Sequence, residues 1–310
     1  SVYGAPPPRS VIERAILVGV GLKGQAETTN ASLDELRRLP DTAGAAVVAE
    51  FSQALARFHP GTLIGAGKVS EIGAAIKRLG ASTVIFDFEL SPAQQKSLEA
   101  ALKAKIVDRT RLILDIFAQR ARTSEGRLQV ELAQLSYMLP RLTGSWRGFS
   151  QQVGGIGTRG PGERKLEYER RHIQRRMLHL KRDLEKVRSS RHLRRQRRLA
   201  VPVPQIALIG YTNVGKSTLL NALTKDAGAV YADDKLFATL DPTARRVRLP
   251  DASWAVVTDT VGFIQRLPTS LVAAFRATLE EVELADCLML VSDASSPRRD
   301  GCCSKHAEDA

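Results

Sequence analysis

Cysteine is scarce in this chain of 310 residues: Cys287 sits within an apolar run, and Cys302 and Cys303 are adjacent near the end. Three thiols at that spacing supply neither a disulfide framework nor a set of metal ligands. Long hydrophobic runs are missing as well. No stretch approaches the eighteen or more apolar residues that a bilayer-spanning helix needs, and the opening SVYGAPPPRSV has neither the basic nor the apolar region of a leader. A cytoplasmic monomer with no membrane partner is therefore expected. Acidic residues are outnumbered, 33 against 46 basic ones, for a net charge of +13. An excess of that sign points to a polyanionic partner.

What is present is 43% apolar sequence, enough for the cores of two or three domains. From 11 to 121, apolar runs alternate with helical patterning. AILVGV (15–20), AVVAEF (46–51), TLIG (62–65), TVIFDF (83–88) and KIVD (105–108) read as strands, and 31–39, 67–79, 91–104 and 111–121 as helices. Interleaving of this kind predicts an open α/β sheet with crossover connections over residues 1–125. Ser91-Pro92 is a good helix start. The stretch GTLIGAGKVS imitates a phosphate loop, but Lys68 is followed by Val69, so a turn feeding a helix is expected instead.

Residues 126–200 form a second block. Leu128, Leu132, Leu135, Leu139 and Leu142 make one heptad-like seam, and Leu166, Ile173, Met177, Leu180, Leu184 and Val187 make another. An antiparallel helical hairpin is expected. Its connection, residues 143–162, holds seven glycines in twenty residues, a composition that suits a functional loop. The second helix carries the charge excess: residues 163–198 contain fifteen Lys or Arg and five Asp or Glu. Few acidic neighbours are placed to pair with Arg194, Arg195, Arg197 and Arg198, so these, with Arg164 and the loop's Arg147 and Arg159, are candidates for phosphate-backbone contact. A solvated helix face is the plainer alternative. Trp146 and Phe149 suit either stacking on unpaired bases or packing against the hairpin.

After AVPVP (200–204), a strand-like QIALIG leads into Gly210-Tyr211-Thr212-Asn213-Val214-Gly215-Lys216-Ser217-Thr218 and a helical STLLNAL, so a further domain is placed at 201–310. The spacing fits G-x-x-x-x-G-K-[ST] between a strand and a helix. Such a loop turns backbone amides onto phosphates at a helix N-terminus, with Lys216 reaching the β and γ phosphates and Ser217 able to hold Mg²⁺. WAVVTDTVGF then supplies Asp259, a second candidate for the metal, and Gly262, a candidate sensor of the γ-phosphate. Between the two, KLFATLDPTARRV offers Thr239 and Thr243 for the hydroxyl that completes the metal shell.

GYTNVGKSTLLNAL, DKLFATLDPT, DTVGFIQRLP and GGIGTRGPGE with its following basic helix together resemble the HflX family of translation-factor-related GTPases, over about residues 11–295. The resemblance implies GTP or GDP and Mg²⁺ as ligands. It also implies docking on the large ribosomal subunit and its rRNA rather than on DNA, ribosome splitting or rescue, and a hairpin loop placed near the peptidyl-transferase centre. It selects Thr239 over Thr243 for the metal, and puts Asn213 where some related GTPases bind an activating potassium ion. Phe263 stands where Ras-like proteins carry the glutamine that orients the attacking water. A phenyl ring cannot do so, and hydrolysis is expected to need a group supplied by the ribosome.

One motif of the family is lacking. After CLMLVSDAS (287–295) no N-K-x-D follows, and a carboxylate of that kind is what normally pairs with guanine. The expected architecture is thus an N-terminal open α/β domain, an antiparallel hairpin and an incomplete P-loop NTPase α/β domain, the last cut short relative to a longer ancestor. The alternative function is an rRNA-binding module whose nucleotide domain no longer hydrolyses.

Overall fold

The computed structural model describes residues 13–142, 161–198, 203–224, 237, 239–264 and 282–294, with side chains of the basic helix described over 167–190. The chain divides into two compact units, Ser1–Asp115 with Pro140–Glu163, and Ile116–Leu139 with Arg164–Ala310.

The first unit is built on a parallel sheet of β1 (Glu13–Leu22), β2 (Ala45–Leu55), β3 (Thr83–Phe86) and β4 (Lys105–Asp108), in the order β2-β1-β3-β4. Strand β1 is paired on both edges, and Ala15–Val20 is buried throughout, which is why it reads as an unbroken apolar run. The crossovers run through α1 (Ala26–Leu36), α2 (Arg38–Ala43), α3 (Ala66–Leu79) and α4 (Pro92–Leu102). Ile16, Val18, Val84, Phe86, Ile72, Leu98 and Ile106 form the core between sheet and helices. As expected, Ser91 opens α4: its Oγ accepts from the Gln94 amide, and the Gln94 side chain accepts from the Ser91 amide.

TLIG is not a strand. His59 and Leu63 pair across a tight turn, with Leu63 in the left-handed region at φ +65°, and the chain enters α3 directly from Gly65. The imitation phosphate loop is accordingly a turn and a helix start, with Lys68 ion-paired to Glu71. Beneath the sheet ends, Arg109 at the start of α5 (Arg109–Arg120) is buried against Asp87 at 2.6 Å and Glu35 at 2.7 Å.

The second unit contains most of α6 (Ser124–Leu142) and α7 (Pro161–Arg198), joined by an ion pair between Arg176 and Glu131 at 2.7 Å. On the α7 seam Leu180 and Leu184 are buried, Ile173, Met177 and Val187 are half-buried, and the Leu166 side chain lies outside the description. On α6 the fully buried residues are Gly126, Gln129, Val130, Ala133, Leu135 and Tyr137, so of the five expected leucines Leu135 is buried and Leu128, Leu132, Leu139 and Leu142 are half-buried. Gly126 leaves room for the Asp241 carboxylate, which a Cβ there would overlap.

The same unit holds a sheet of β5 (Gln205–Ile209), β6 (Thr243–Arg248), β7 (Trp254–Asp259) and β8 (Cys287–Leu290), ordered β6-β7-β5-β8, with β6 antiparallel. Helix α8 (Lys216–Leu223) follows β5. β8 pairs with β5 and exposes Cys287, Leu288, Met289 and Leu290. Leu208 is opposite Asp259 in the β5–β7 register, so the carboxyl ends of the two central strands open side by side. In an open α/β sheet that is where ligands bind.

Candidate functional site

The loop from Gly210 to Lys216 bends sharply between β5 and α8. Gly210 (φ +149°) lies so close to the Val291 carbonyl that no side chain fits, and Gly215 (φ +90°) caps α8 in the left-handed region. Asn213 is also left-handed, at φ +62°, and exposed, as is Thr218, while Tyr211, Thr212 and Val214 are half-buried. Lys216 is buried. Its Nζ donates to the carbonyls of Tyr211 (2.6 Å) and Gly210 (3.0 Å), which hold the ammonium under the loop. Burial pushes the Lys216 pKa down to about 8, and the nearby Asp259 carboxylate offsets part of that fall.

Three oxygens converge beside it. Ser217 Oγ donates to Asp259 Oδ2 at 2.6 Å, Thr239 Oγ1 donates to the same oxygen at 2.9 Å, and the two hydroxyls are 2.9 Å apart. Two hydroxyl protons cannot fill three oxygen–oxygen contacts, so the cluster is short of positive charge. Asp259 is fully buried, and its Oδ1 has no hydrogen-bond partner among the described residues. An all-oxygen donor set with an unpaired buried carboxylate oxygen fits a hard divalent cation such as Mg²⁺. Thr243 is elsewhere: it begins β6, and its hydroxyl makes a long contact to the Asp241 carbonyl at 3.4 Å.

Gly262 is drawn against the loop. The Thr212 amide donates to the Phe263 carbonyl at 2.9 Å, and the Phe263 amide to the Gly210 carbonyl at 3.0 Å. Thr260 was not singled out by its sequence, yet its hydroxyl donates to the Leu208 carbonyl at 2.5 Å and ties the same segment to β5. Lys216, Ser217, Thr239, Asp259 and Gly262 are thus gathered around one loop from stretches up to 46 positions apart. Arg147 and Arg159 lie outside the described residues, and Arg164, Arg194, Arg195, Arg197 and Arg198 lie on α7 with side chains outside the description. No helix among the described residues is long and apolar enough to cross a membrane.

Comparison with known proteins matches the chain in three consecutive blocks: a GTP-binding GTPase N-terminal model at residues 30–118, a GTP-binding GTPase middle-region model at 120–198, and a 50S ribosome-binding GTPase model at 205–308. The GTPase HflX of Lacrimispora saccharolytica is 52% identical over 94% of this chain and 68% of its own length. That of Caldanaerobacter subterraneus is 52% identical (93% and 66%), and that of Escherichia coli 47% (92% and 66%). The chain therefore spans about two thirds of the length of these relatives. Among solved structures, a GTP-binding protein from Sulfolobus solfataricus in complex with GDP aligns with a TM-score of 0.51 at 24% identity, covering 96% of this chain and 76% of that one. A complex titled SsGBP and GDP aligns at 0.54 and 24%, covering 96% and 77%. These structures share the fold. With about half its residues identical to those relatives over nearly its whole length, and matched in three blocks by GTPase models, the chain belongs to the HflX family of GTPases.

Proposed function

We propose that this chain binds GTP and GDP with Mg²⁺ at the Gly210–Thr218 loop, hydrolyses GTP there, and docks on the rRNA of the large ribosomal subunit to promote ribosome splitting or rescue in the cytoplasm. The observation that carries the reading is the convergence of Ser217, Thr239 and Asp259 on one oxygen cluster beside the buried Lys216. The loop amides and the N-terminus of α8 would hold the phosphates, and Lys216, released from the Gly210 and Tyr211 carbonyls, would neutralise charge on the β and γ phosphates. Ser217 and Thr239 would ligate Mg²⁺ and Asp259 would orient its waters; the ion supplies charge stabilisation to the phosphoryl group in transfer. Gly262, through its backbone amide, would report the γ-phosphate. The exposed Asn213 is where we place a monovalent cation, K⁺.

No side chain at Phe263 can hydrogen-bond the attacking water, so the chain alone would turn over slowly and the ribosome would complete the site. Residues 1–125 would be one domain, the hairpin of 126–200 with Arg147, Arg159, Arg164, Arg194, Arg195, Arg197 and Arg198 the rRNA-facing part, and 201–310 the nucleotide domain. Contact of that charge with phosphates predicts a steep salt dependence. The test is GTP turnover with and without large subunits, alongside subunit binding at about 50 and 200 mM salt, between which affinity should fall by about a thousandfold. Subunits that leave turnover unchanged, or binding indifferent to salt, would contradict it.

A further inference from the structure

Two residues beyond Thr239, the carboxylate of Asp241 reaches the start of α6. Its Oδ2 accepts from the backbone amides of Arg122 and Thr123, both at 2.8 Å, and its Oδ1 accepts from the Thr123 hydroxyl. Thr123 is in turn the cap of α6, with its Oγ1 accepting from the Gly126 amide at 2.9 Å. The hydroxyl therefore donates one hydrogen bond to Asp241 and accepts one from the helix. Amides at a helix start have no intrahelical partner and carry the positive end of the dipole, so both terms favour a carboxylate here.

Two further features are shaped around this contact. A Cβ on Gly126 would overlap Asp241 Oδ1, so the absence of a side chain is what admits the carboxylate. Two residues before Thr239, Phe237 packs edge-to-face on Phe117 of α5, with ring centroids 4.7 Å apart, and both rings are buried. Phe237 has φ +57°, a conformation costly for a bulky residue unless its surroundings hold it there. The Thr239 segment is thus fastened on both flanks to the α5–α6 junction, more than a hundred residues earlier in the sequence.

We infer that Asp241 is a positioning residue that, with Phe237, latches the Thr239 segment to the root of α6, so that the γ-phosphate state of the site and the order of the first turn of α6 change together. The inference rests on the nucleotide reading above. GDP has no γ-phosphate and makes no demand on Thr239, so the latch affects GTP more than GDP. The coupling is reciprocal: a partner that binds the ordered start of α6 raises GTP affinity by the same factor by which GTP raises the affinity for that partner.

The test uses the full chain and its Asp241→Ala, Asp241→Asn, Gly126→Ala and Thr239→Ala variants. Affinities for a non-hydrolysable GTP analogue and for GDP are titrated, and hydrogen exchange is followed at the amides of Arg122, Thr123 and Gly126. Asp241→Ala and Gly126→Ala should each lose about tenfold in analogue affinity and keep their GDP affinity. Asparagine can still accept both amides through its carbonyl and donate to Thr123 through its amide, so Asp241→Asn should retain the preference. In the parent chain the analogue, but not GDP, should slow exchange at the three amides, and Thr239→Ala should abolish that effect. An Asp241→Ala chain that binds both nucleotides like the parent, or loses both equally, overturns the latch alone. A parent chain that binds neither nucleotide overturns the nucleotide reading and the latch with it.

Discussion

Gly262 packs so closely on Thr212 that a Cβ added to it would stand 2.5 Å from the Thr212 Cα and 2.6 Å from its amide nitrogen. The contact is with backbone, so no side chain can swing aside to relieve it. Gly262→Ala must push the segment after β7 off the phosphate loop or bend the loop itself. Displacements of that size cost about a hundredfold in a positioned reaction. GTP turnover should fall accordingly with the circular dichroism spectrum unchanged, and a variant that keeps parental turnover would refute the role given to this approach.

Asp259 meets Ser217 and Thr239 with one carboxylate oxygen and leaves the other without a partner among the described residues. Asp259→Asn keeps the shape and removes the charge. Groups acting on a metal through its waters are typically worth 10–100-fold in affinity, so Mg²⁺-dependent binding of a GTP analogue should weaken by about that factor. Chelating Mg²⁺ should mimic the substitution in the parent chain and have little further effect in the variant, which equilibrium titration with and without chelator measures.

Lys216 has its pKa lowered to about 8 by burial. In the free fold its ammonium is disfavoured, so this residue's contribution to stability rises with pH between about 8 and the ordinary lysine value near 10.5 and is unfavourable below. Bound phosphates reverse the preference. Nucleotide binding above pH 8 should take up a proton and weaken by up to about tenfold per pH unit, and should be nearly flat between pH 7 and 8. Calorimetry at pH 7 and pH 9 in buffers of different ionisation heat reads the proton directly.

Arg109 and Asp87 form a buried ion pair at 2.6 Å in the first unit. Removing one partner strands the other in the core. Asp87→Ala should destabilise that unit by about 3–5 kcal/mol, seen as a lower denaturant midpoint, because the guanidinium loses a buried counter-charge. Denaturation at the parental midpoint would mean that Glu35 alone satisfies the arginine.

The phosphate loop was legible in the sequence because its chemistry is local: Gly210, Gly215, Lys216 and Ser217 fall within eight positions between a strand and a helix. Asp259 followed from its place at the end of an apolar strand. Thr239 and Thr243 are equivalent by composition; the family resemblance favours Thr239, and the fold separates the two directly, since Thr239 Oγ1 meets Asp259 while Thr243 opens β6. That strand, TARRVR, carries little apolar signal because it is a charged edge with a single buried residue, Val247. Asp241 carries no local signal, because its partners at 122 and 123 lie about 120 positions away. On α6, leucine spacing found a stripe that is half-buried apart from the buried Leu135, while full burial also takes in Gly126, Val130 and Ala133, which that spacing passes over.

Calorimetric titration with GDP, a non-hydrolysable GTP analogue and ADP, in Mg²⁺ and potassium, with Lys216→Ala as the control, tests whether the cluster of Ser217, Thr239 and Asp259 beside Lys216 is a Mg²⁺–guanine nucleotide site. Saturable binding of both guanine nucleotides that is lost in Lys216→Ala, with ADP weaker by about tenfold or more, an energy gap of about 1.4 kcal/mol, is the predicted result. No binding by the parent chain, or equal binding of ADP, would contradict it.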